Sequence, residues 1–342
     1  MYQIPLPAYA NVPKDMPVML GENDVRTVLS MDDLITVMES ALERFSAGSV
    51  RQPLRSVLEV AGRHAFFGVM PAFIDGTAPS LGTKLVSVYH SNLALGLPSH
   101  LATIVLFEPD TGALRAVIDG RFITEARTAA ASAAATNHLA RPEARVLAVF
   151  GSGVQARSHI DALLRVRPIE EVRIWGRDPG HVDSLIAELT PRVRARLLRV
   201  ETARDAARGA DVIALVTASR EPVLLRAWVA DGTHICAVGA CRPDQREMDT
   251  ALVKDGRVFV DSRVGALAEA GDVVIPIKEG AIDASHIAGE IGDVCGGRVP
   301  GRRNASEITI FKSLGMAVED VAAAQLAFER ASERGLGRGF VL

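Results

Sequence analysis

The sequence predicts an α/β fold: a doubly wound parallel sheet, joined to an α+β domain built on an antiparallel sheet. Three observations predict it. From Arg145 onward, short apolar strands alternate with helical stretches. Between residues 55 and 118, β-rich runs follow one another across short turns. The chain has 342 residues and is 48% hydrophobic, long enough for two cores and too apolar for extended disorder.

The first clear element is "SMDDLITVMESALERFSAG", from Ser30. Leu34, Val37, Met38, Leu42 and Phe45 share one helical face, Ser30 with Asp33 makes a capping-box-like start, and Gly48 is a stop. The runs "RSVLEVAG", "HAFFGVM", "LGTKLVSVYH", "LATIVLFE" and "LRAVID" read as strands, with turn residues such as "EPDTG" at 108–112 between them. The helix near Thr124, "TEARTAAASAAATNHLA", is dominated by small side chains. Either helix propensity alone or close packing, against a sheet or a second subunit, accounts for that composition.

The alternation then begins. "RVLAVFG" is a strand and 153–166 a helix; "EVRIWG" is a strand and "PGHVDSLIAEL" a helix; "ARLLRV" is a strand and "TARDAARG" a short helix. "DVIALVT", "THICAVG" and "RVFVDS" are further strands. The last helix, "GMAVEDVAAAQLAFERASERG", lies beyond the alternation and is expected to pack back onto the first domain. The tail "LGRGFVL" reads as frayed. The expected division is 1–140 plus 314–342 for the antiparallel-sheet domain and 141–313 for the parallel-sheet domain.

A net charge of −3 predicts no nucleic-acid surface and no polybasic membrane patch. The segment "MYQIPLPAYANVPKDMP" lacks the basic and apolar regions of a signal peptide, and no stretch approaches the roughly 20 apolar residues that span a bilayer. Cys236, Cys241 and Cys295 are odd in number and without CxxC spacing, which argues for a reducing compartment and against a disulfide scaffold, and no His/Cys cluster has the spacing of zinc ligands. A cytoplasmic protein with no nucleic-acid, membrane or metal partner is expected.

"VFGSGVQARSHI", residues 149–160, follows a strand and opens a helix. In that setting Gly151 permits the tight turn, Gly153 lets a pyrophosphate approach the backbone, and Ala156 allows close helix–strand packing, as in a Rossmann dinucleotide site. The plain alternative is a strand–helix turn that binds nothing. The second strand ends in Gly176-Arg177-Asp178. No acid ends the strand itself, and Arg177 is placed to meet a 2′-phosphate, which favours NADP(H) over NAD(H). Asp178 keeps NAD(H) open.

Eight segments together carry a resemblance: "GVMPAF", "GTKLVSVY", "GLPSHLATIVLFEPDTGALRAVIDG", "ITEARTAA", "GSGVQARSH", "EVRIWGR", "GACRPDQREMD" and "FKSLGMAVED". In this order, from about residue 20 to 330, they resemble the ornithine cyclodeaminase/mu-crystallin family. The resemblance implies a Rossmann domain and a sheet-rich dimerisation and substrate domain completed by the C-terminal helix, hence a homodimer, with the substrate pocket between the domains. It implies chemistry in which an amino-acid carbon passes through an imine while hydride moves to or from a nicotinamide.

The resemblance also assigns residues. Arg55 and Arg127 match the arginines that hold the substrate carboxylate, a task suited to a bidentate fork. Met70 lines the pocket. Lys84 matches a lysine that contacts substrate and transfers protons, and a strand-interior lysine is unusual on local grounds. The plain alternatives are a structural ion pair for Arg127 and a snorkelling surface lysine for Lys84. Thr128, Gly151, Ser152, Gly153, Val154, Gln155, Gly176, Arg177, Asp178, Thr217, Val238 and Gly239 are expected along the cofactor. Lys312, Ser313 and Gly315 of "FKSLG" are expected beside the nicotinamide ring. Glu269 and Asp272 are weaker candidates, suited also to capping or orienting a helix.

One departure matters. Cyclodeaminases of the family carry a catalytic aspartate two residues after the glycine ending the "THICAVG" strand. Cys241 stands at that place here, as a non-aspartate does in the mu-crystallin-like members, and Asp244 lies beyond Pro243. A thiol is a poor substitute for a carboxylate that directs water or an amine onto an imine. The expected activity is therefore NAD(P)H-dependent reduction of cyclic ketimines, of the piperideine- or pyrroline-2-carboxylate type. The alternatives are ornithine cyclodeamination, amino-acid dehydrogenation, or NADPH and small-ligand binding without turnover.

Overall fold

The computed structural model describes residues 16–341. The chain divides into two units. One runs to Arg127 and resumes at Met316; the other is Thr128–Gly315. The boundary falls inside the small-sided helix, where the sequence reading ended the first segment at 140.

The first unit opens with β1 (Val18–Leu20), α1 (Glu22–Val28), α2 (Met31–Ser46), β2 (Val50–Arg51) and β3 (Ser56–Val60). β4 (Ala65–Ile74), β5 (Ser80–Tyr89), β6 (His100–Phe107) and β7 (Leu114–Asp119) follow. Ser30 caps α2 by accepting from the Asp33 N–H at 3.2 Å, as the spacing predicts. With β16 (Arg338–Gly339), the sheet runs β16-β1-β7-β6-β5-β4-β2, with β3 on β4, and is antiparallel except for the β1–β7 pair. Helix α11 (Ala317–Glu333) packs against α2 and the β4–β5–β6 face, so the last helix does return to this unit.

The tail is corrected. Arg338–Gly339 form β16, antiparallel to β1, and the Phe340 N–H donates to the Pro17 carbonyl at 3.1 Å. β1 would otherwise leave a row of unpaired edge groups, and the tail satisfies them. The short β1, β2 and α1 carried too few residues for a periodic signal.

Strand alternation decides what α11 meets. In β5, Ser80, Gly82 and Lys84 face inward while their neighbours face out. β4 and β6 present Met70, Ala72, Ala102, Ile104 and Leu106 on the same side. A Cβ on Gly82 would lie 3.3 Å from Val321 of α11. The helix therefore sits directly on the strand that carries Lys84.

α3 (Arg121–Leu139) leads from the first unit into the second. Its alanines at 129–131 and 133–135 are fully buried within the chain, so close packing inside the chain explains them. The second unit follows with β8 (Val146–Phe150), α4 (Val154–Val166), β9 (Glu171–Trp175), α5 (Pro179–Leu189), β10 (Arg196–Arg199), α6 (Ala203–Ala207), β11 (Val212–Leu215) and β12 (His234–Ala237). It is completed by α7 (Thr250–Asp255), β13 (Arg257–Val260), α8 (Arg263–Glu269), α9 (Gly271–Lys278), β14 (Ile287–Glu290), α10 (Ile291–Cys295) and β15 (Thr309–Lys312). All its strands are parallel, in the order β10-β9-β8-β11-β12-β15-β13-β14. The order reverses between β8 and β11, which makes their carboxyl ends the topological switch point. Phe150, Leu215, Ile235 and Ile310 stand in one apolar core.

Candidate active site

In the second unit, the glycine turn lies at the switch point. Gly151 has φ +122°, and a Cβ there would come within 2.7 Å of the Val216 carbonyl. Gly153 is the N-cap of α4, makes no side-chain cap, and has open space where a Cβ would stand. Ala156 is fully buried. The first turn of a thirteen-residue helix thus presents N–H groups that no cap side chain covers, beside a bare backbone. This geometry fits a dinucleotide pyrophosphate.

Arg177 is exposed directly after Gly176 and pairs with no carboxylate among the described residues. Asp178 instead caps α5, accepting from Gly180 and His181 N–H groups at 2.8 and 3.2 Å. That carboxylate is already engaged with its own helix.

At the ends of β11 and β12, Glu247 is fully buried. Its Oε1 accepts from the Thr217 N–H and hydroxyl at 2.8 and 2.7 Å, and its Oε2 accepts from the Gly239 N–H at 2.7 Å. Asp272 Oδ1 accepts from the Glu247 and Met248 N–H groups, and its Oδ2 lies 3.2 Å from Lys312 Nζ. Burial, together with the Asp272 charge, pushes the Glu247 carboxyl up to about 7. Lys312 opposes desolvation with the Asp272 charge, which holds its ammonium above the ordinary lysine value. Lys312, expected beside the nicotinamide, thus turns its charge into the unit. Asp272 organises the Glu247 loop, while Glu269 stands half-buried at the end of α8.

Asp261 Oδ2 accepts from the Leu314 and Gly315 N–H groups at 2.5 and 2.8 Å, fixing the turn after Ser313. Val238 is buried at the end of β12. Cys241 donates its thiol to the Val238 carbonyl at 3.1 Å. Asp244 is exposed and faces Arg242 at 3.5 Å.

In the first unit, Lys84 and Met70 are register partners on β5 and β4. Lys84 is 2% exposed, and its Nζ lies 2.6 Å from Asp320 Oδ2. Arg127 is 4% exposed; its Nε donates to Asp320 Oδ1 at 2.8 Å and its Nη1 to Glu319 Oε2 at 2.6 Å. Both acids stand in the first turn of α11, where the helix dipole favours them. Gln52 anchors the same turn by accepting from the Val318 N–H at 2.8 Å.

Lys84 is therefore no surface lysine. Burial, offset in part by Asp320 and reinforced by Arg127 and Arg55, brings its ammonium down to about 8. His100, on β6, is pushed down to about 4 by burial and by Lys84 and Arg127, so it is neutral near pH 7. Arg127 makes an ion pair as well, and its Nη2 remains outside both carboxylate contacts. Two cations and two carboxylates balance here, and Arg55, half-buried before β3, adds a further positive charge.

Sequence reasoning singled out Lys84, Arg127, Met70 and Arg55 but not Glu319, Asp320, His100 or Glu247. A signal existed: "VED" puts two acids among the alanines and valines of the last helix. Acids in the small, apolar first half of that helix, if buried, require partners.

The sequence profile of the ornithine cyclodeaminase/mu-crystallin family matches residues 15–335. The chain belongs to this family. It is 41% identical to the mouse ketimine reductase mu-crystallin over 320 residues, which is 92% of this chain and 98% of the relative. Among solved structures, it resembles Thermococcus litoralis Δ1-pyrroline-2-carboxylate reductase in complex with NADH and L-proline. That match has a TM-score of 0.92 and 39% identity, covering 94% of this chain and all of the other. An archaeal alanine dehydrogenase dimer with bound NAD matches with a TM-score of 0.90 and 31% identity, over 95% and 99% of the two chains. Family membership extends across both units of this chain.

Proposed function

We propose that this protein is an NAD(P)H-dependent imine reductase that converts cyclic ketimine carboxylates, of the pyrroline- or piperideine-2-carboxylate type, into cyclic amino acids. The observation that carries this is Lys84, buried against Asp320 and beside Arg127. A proton-transferring group and a carboxylate-binding group share one dry site. The names of the relatives, ketimine reductase and pyrroline-2-carboxylate reductase, support the same chemistry.

The cofactor, when bound, supplies the hydride. In the reduction the C=N double bond would become a C–N single bond, the carbon taking that hydride and the nitrogen a proton. The proton comes from solvent by way of the Lys84 ammonium. Arg127, through its Nη2, and Arg55 hold the carboxylate and so fix which face of the imine carbon is presented. Lys84, poised near neutrality, gives its proton to the imine nitrogen or keeps that nitrogen protonated. Cyclodeamination is disfavoured because Cys241 occupies the place of the aspartate and Asp244 is exposed and paired to Arg242.

The finer preference is for NADP(H), on the exposed Arg177 after β9 and the capping duty of Asp178. The protein is a homodimer through the first unit. Val57 and Leu58 of β3, with Leu54, Leu95, Leu97 and Leu101, leave apolar surface exposed there. It is a cytoplasmic enzyme, and among the described residues no helix is long and apolar enough to cross a membrane.

The deciding experiment is a screen of NADPH oxidation over cyclic and linear imino acids, with ornithine plus NAD as control. Stoichiometric NADPH consumption with a cyclic imino acid is expected. Ammonia release from ornithine without net cofactor turnover would replace this function with cyclodeamination.

A further inference from the structure

We propose that Asp320 is the positioning residue of the site: one carboxylate holds the proton-transferring Lys84 and the carboxylate-binding Arg127 in fixed mutual geometry and keeps Lys84 charged. The role assigned to Lys84 rests on the imine-reductase function above.

The geometry is specific. Asp320 divides its two oxygens, Oδ1 to Arg127 Nε at 2.8 Å and Oδ2 to Lys84 Nζ at 2.6 Å. The three residues come from α11, α3 and β5, so no local sequence relationship brings them together. All three are buried, and a carboxylate at this depth is retained only with partners that compensate its desolvation. Glu319, next in the chain, bonds Arg127 at Nη1 and makes no ion pair with Lys84. The two acids therefore have separable tasks: Glu319 turns the guanidinium, and Asp320 links it to the amine.

The charges around Lys84 give the link a direction. α11 presents Asp320, with Glu319 behind Arg127; α3 presents Arg127; the segment before β3 presents Arg55; β6 presents His100, which is neutral near pH 7; and β4 presents the uncharged Met70. Among the described residues, Asp320 is the one anion that acts directly on Lys84, against two cations that favour losing its proton. Without it, Lys84 would be a buried amine between two guanidinium groups, and neutral. A neutral amine cannot protonate an imine. Binding of a substrate carboxylate on Arg127 and Arg55 would further favour the ammonium, so proton-donor readiness and substrate binding are coupled through this acid.

The test uses the full-length protein with its lysines labelled at the ε carbon with 13C. The chain has only five lysines, and Lys84→Arg identifies the Lys84 resonance by its loss. In Asp320→Asn the Lys84 titration midpoint should fall by roughly 1–3 pH units, the usual effect of one adjacent charge. Under the imine-reductase function, the alkaline limb of kcat/KM should move by the same amount. In Asp320→Glu the midpoint should stay near that of the wild type, while kcat/KM falls because the carboxylate is displaced by one methylene. Glu319→Gln should move the midpoint less than Asp320→Asn. An unchanged Lys84 midpoint in Asp320→Asn overturns the proposal. If Asp320→Asn does not fold, Asp320→Glu decides: an unchanged midpoint with lowered kcat/KM supports the positioning role, and wild-type kcat/KM overturns it. Wild-type protein that oxidises no NADPH with any imine would instead defeat the functional assignment, and the titration would still judge the role of Asp320.

Discussion

Glu247 accepts from the backbone N–H of Gly239 at 2.7 Å while its other oxygen takes both donors of Thr217, so one carboxylate ties together the ends of β11 and β12. A Cβ at Gly239 would lie 2.0 Å from the Thr217 carbonyl, which explains the glycine. These strand ends are where open parallel sheets bind ligands. The carboxyl of Glu247 is raised from 4.5 to about 7, by burial first and the Asp272 charge second.

The sign of the resulting pH effect follows from linkage. A folded-state value above the unfolded one means that the folded protein binds more protons between the two. Its contribution to stability is fully present below about 4.5 and is lost as pH rises through about 7. Glu247→Gln imitates the protonated acid. Its Tm should be lower than that of the wild type at acidic pH, because an amide cannot accept from every present donor. The gap should narrow as pH rises from about 5 to about 8. A gap that widens over this range, measured by thermal unfolding, would contradict the assignment.

Lys84→Ala should lower kcat/KM for the imine by ~10²–10⁴, the usual contribution of general acid–base help. NADPH affinity, read by cofactor fluorescence, should stay within a few-fold of wild type, because Lys84 and the glycine turn belong to different units. A parallel loss of cofactor binding would mean that the substitution disturbs more than the proton donor.

Arg177→Asp should weaken NADPH more than NADH, since it replaces the cation after β9 with a charge that repels a 2′-phosphate. Dissociation constants for the two cofactors in both proteins decide the matter. Equal ratios in wild type and variant would remove Arg177 from cofactor selection.

Cys241→Ala should retain most of the imine-reducing activity. The thiol donates to the Val238 carbonyl and has no necessary part in hydride delivery. Loss of turnover in this variant, with Lys84→Ala still active, would reverse the two roles.

Light scattering at micromolar concentration should report twice the chain mass of 36.4 kDa. Replacing the exposed Leu58 and Val57 of β3 by charged residues should shift the protein toward the monomer. A monomeric wild type would exclude the interface.

The parallel-sheet unit was legible because its signals are local: strand and helix periods alternate, and the glycine turn combines a φ that favours glycine with a bare helix start. Lys84 and Arg127 were legible for the opposite reason, as charges where the pattern asks for apolar or small residues. What pairs with them was not. Asp320 lies 193 residues from Arg127 in sequence, and only the return of α11 brings it there. Glu247 was hidden in a loop whose conformation depends on Asp272 and on two strand ends. Lys312 was legible as a charge in an apolar segment, but its partner, the buried Asp272, was not, because the two lie forty residues apart in the chain. Local pattern specifies that a buried charge exists; the tertiary fold specifies its counter-charge.

The first unit is discontinuous, and its last segment supplies Asp320 and Glu319. Synthesis runs toward the carboxyl end, so Lys84 and Arg127 emerge long before Glu319 and Asp320. Through the synthesis of all of Thr128–Gly315, the sheet bearing Lys84 has neither α11 across its inner face nor β16 along β1. The second unit, by contrast, has its whole sequence by Gly315 and can close first. The site is thus assembled in the last moments of biosynthesis, and a chain cut short before Met316 would carry two charges facing an uncovered apolar sheet. Such a fragment would hold Lys84 and Arg127 without either of the acids that pair with them.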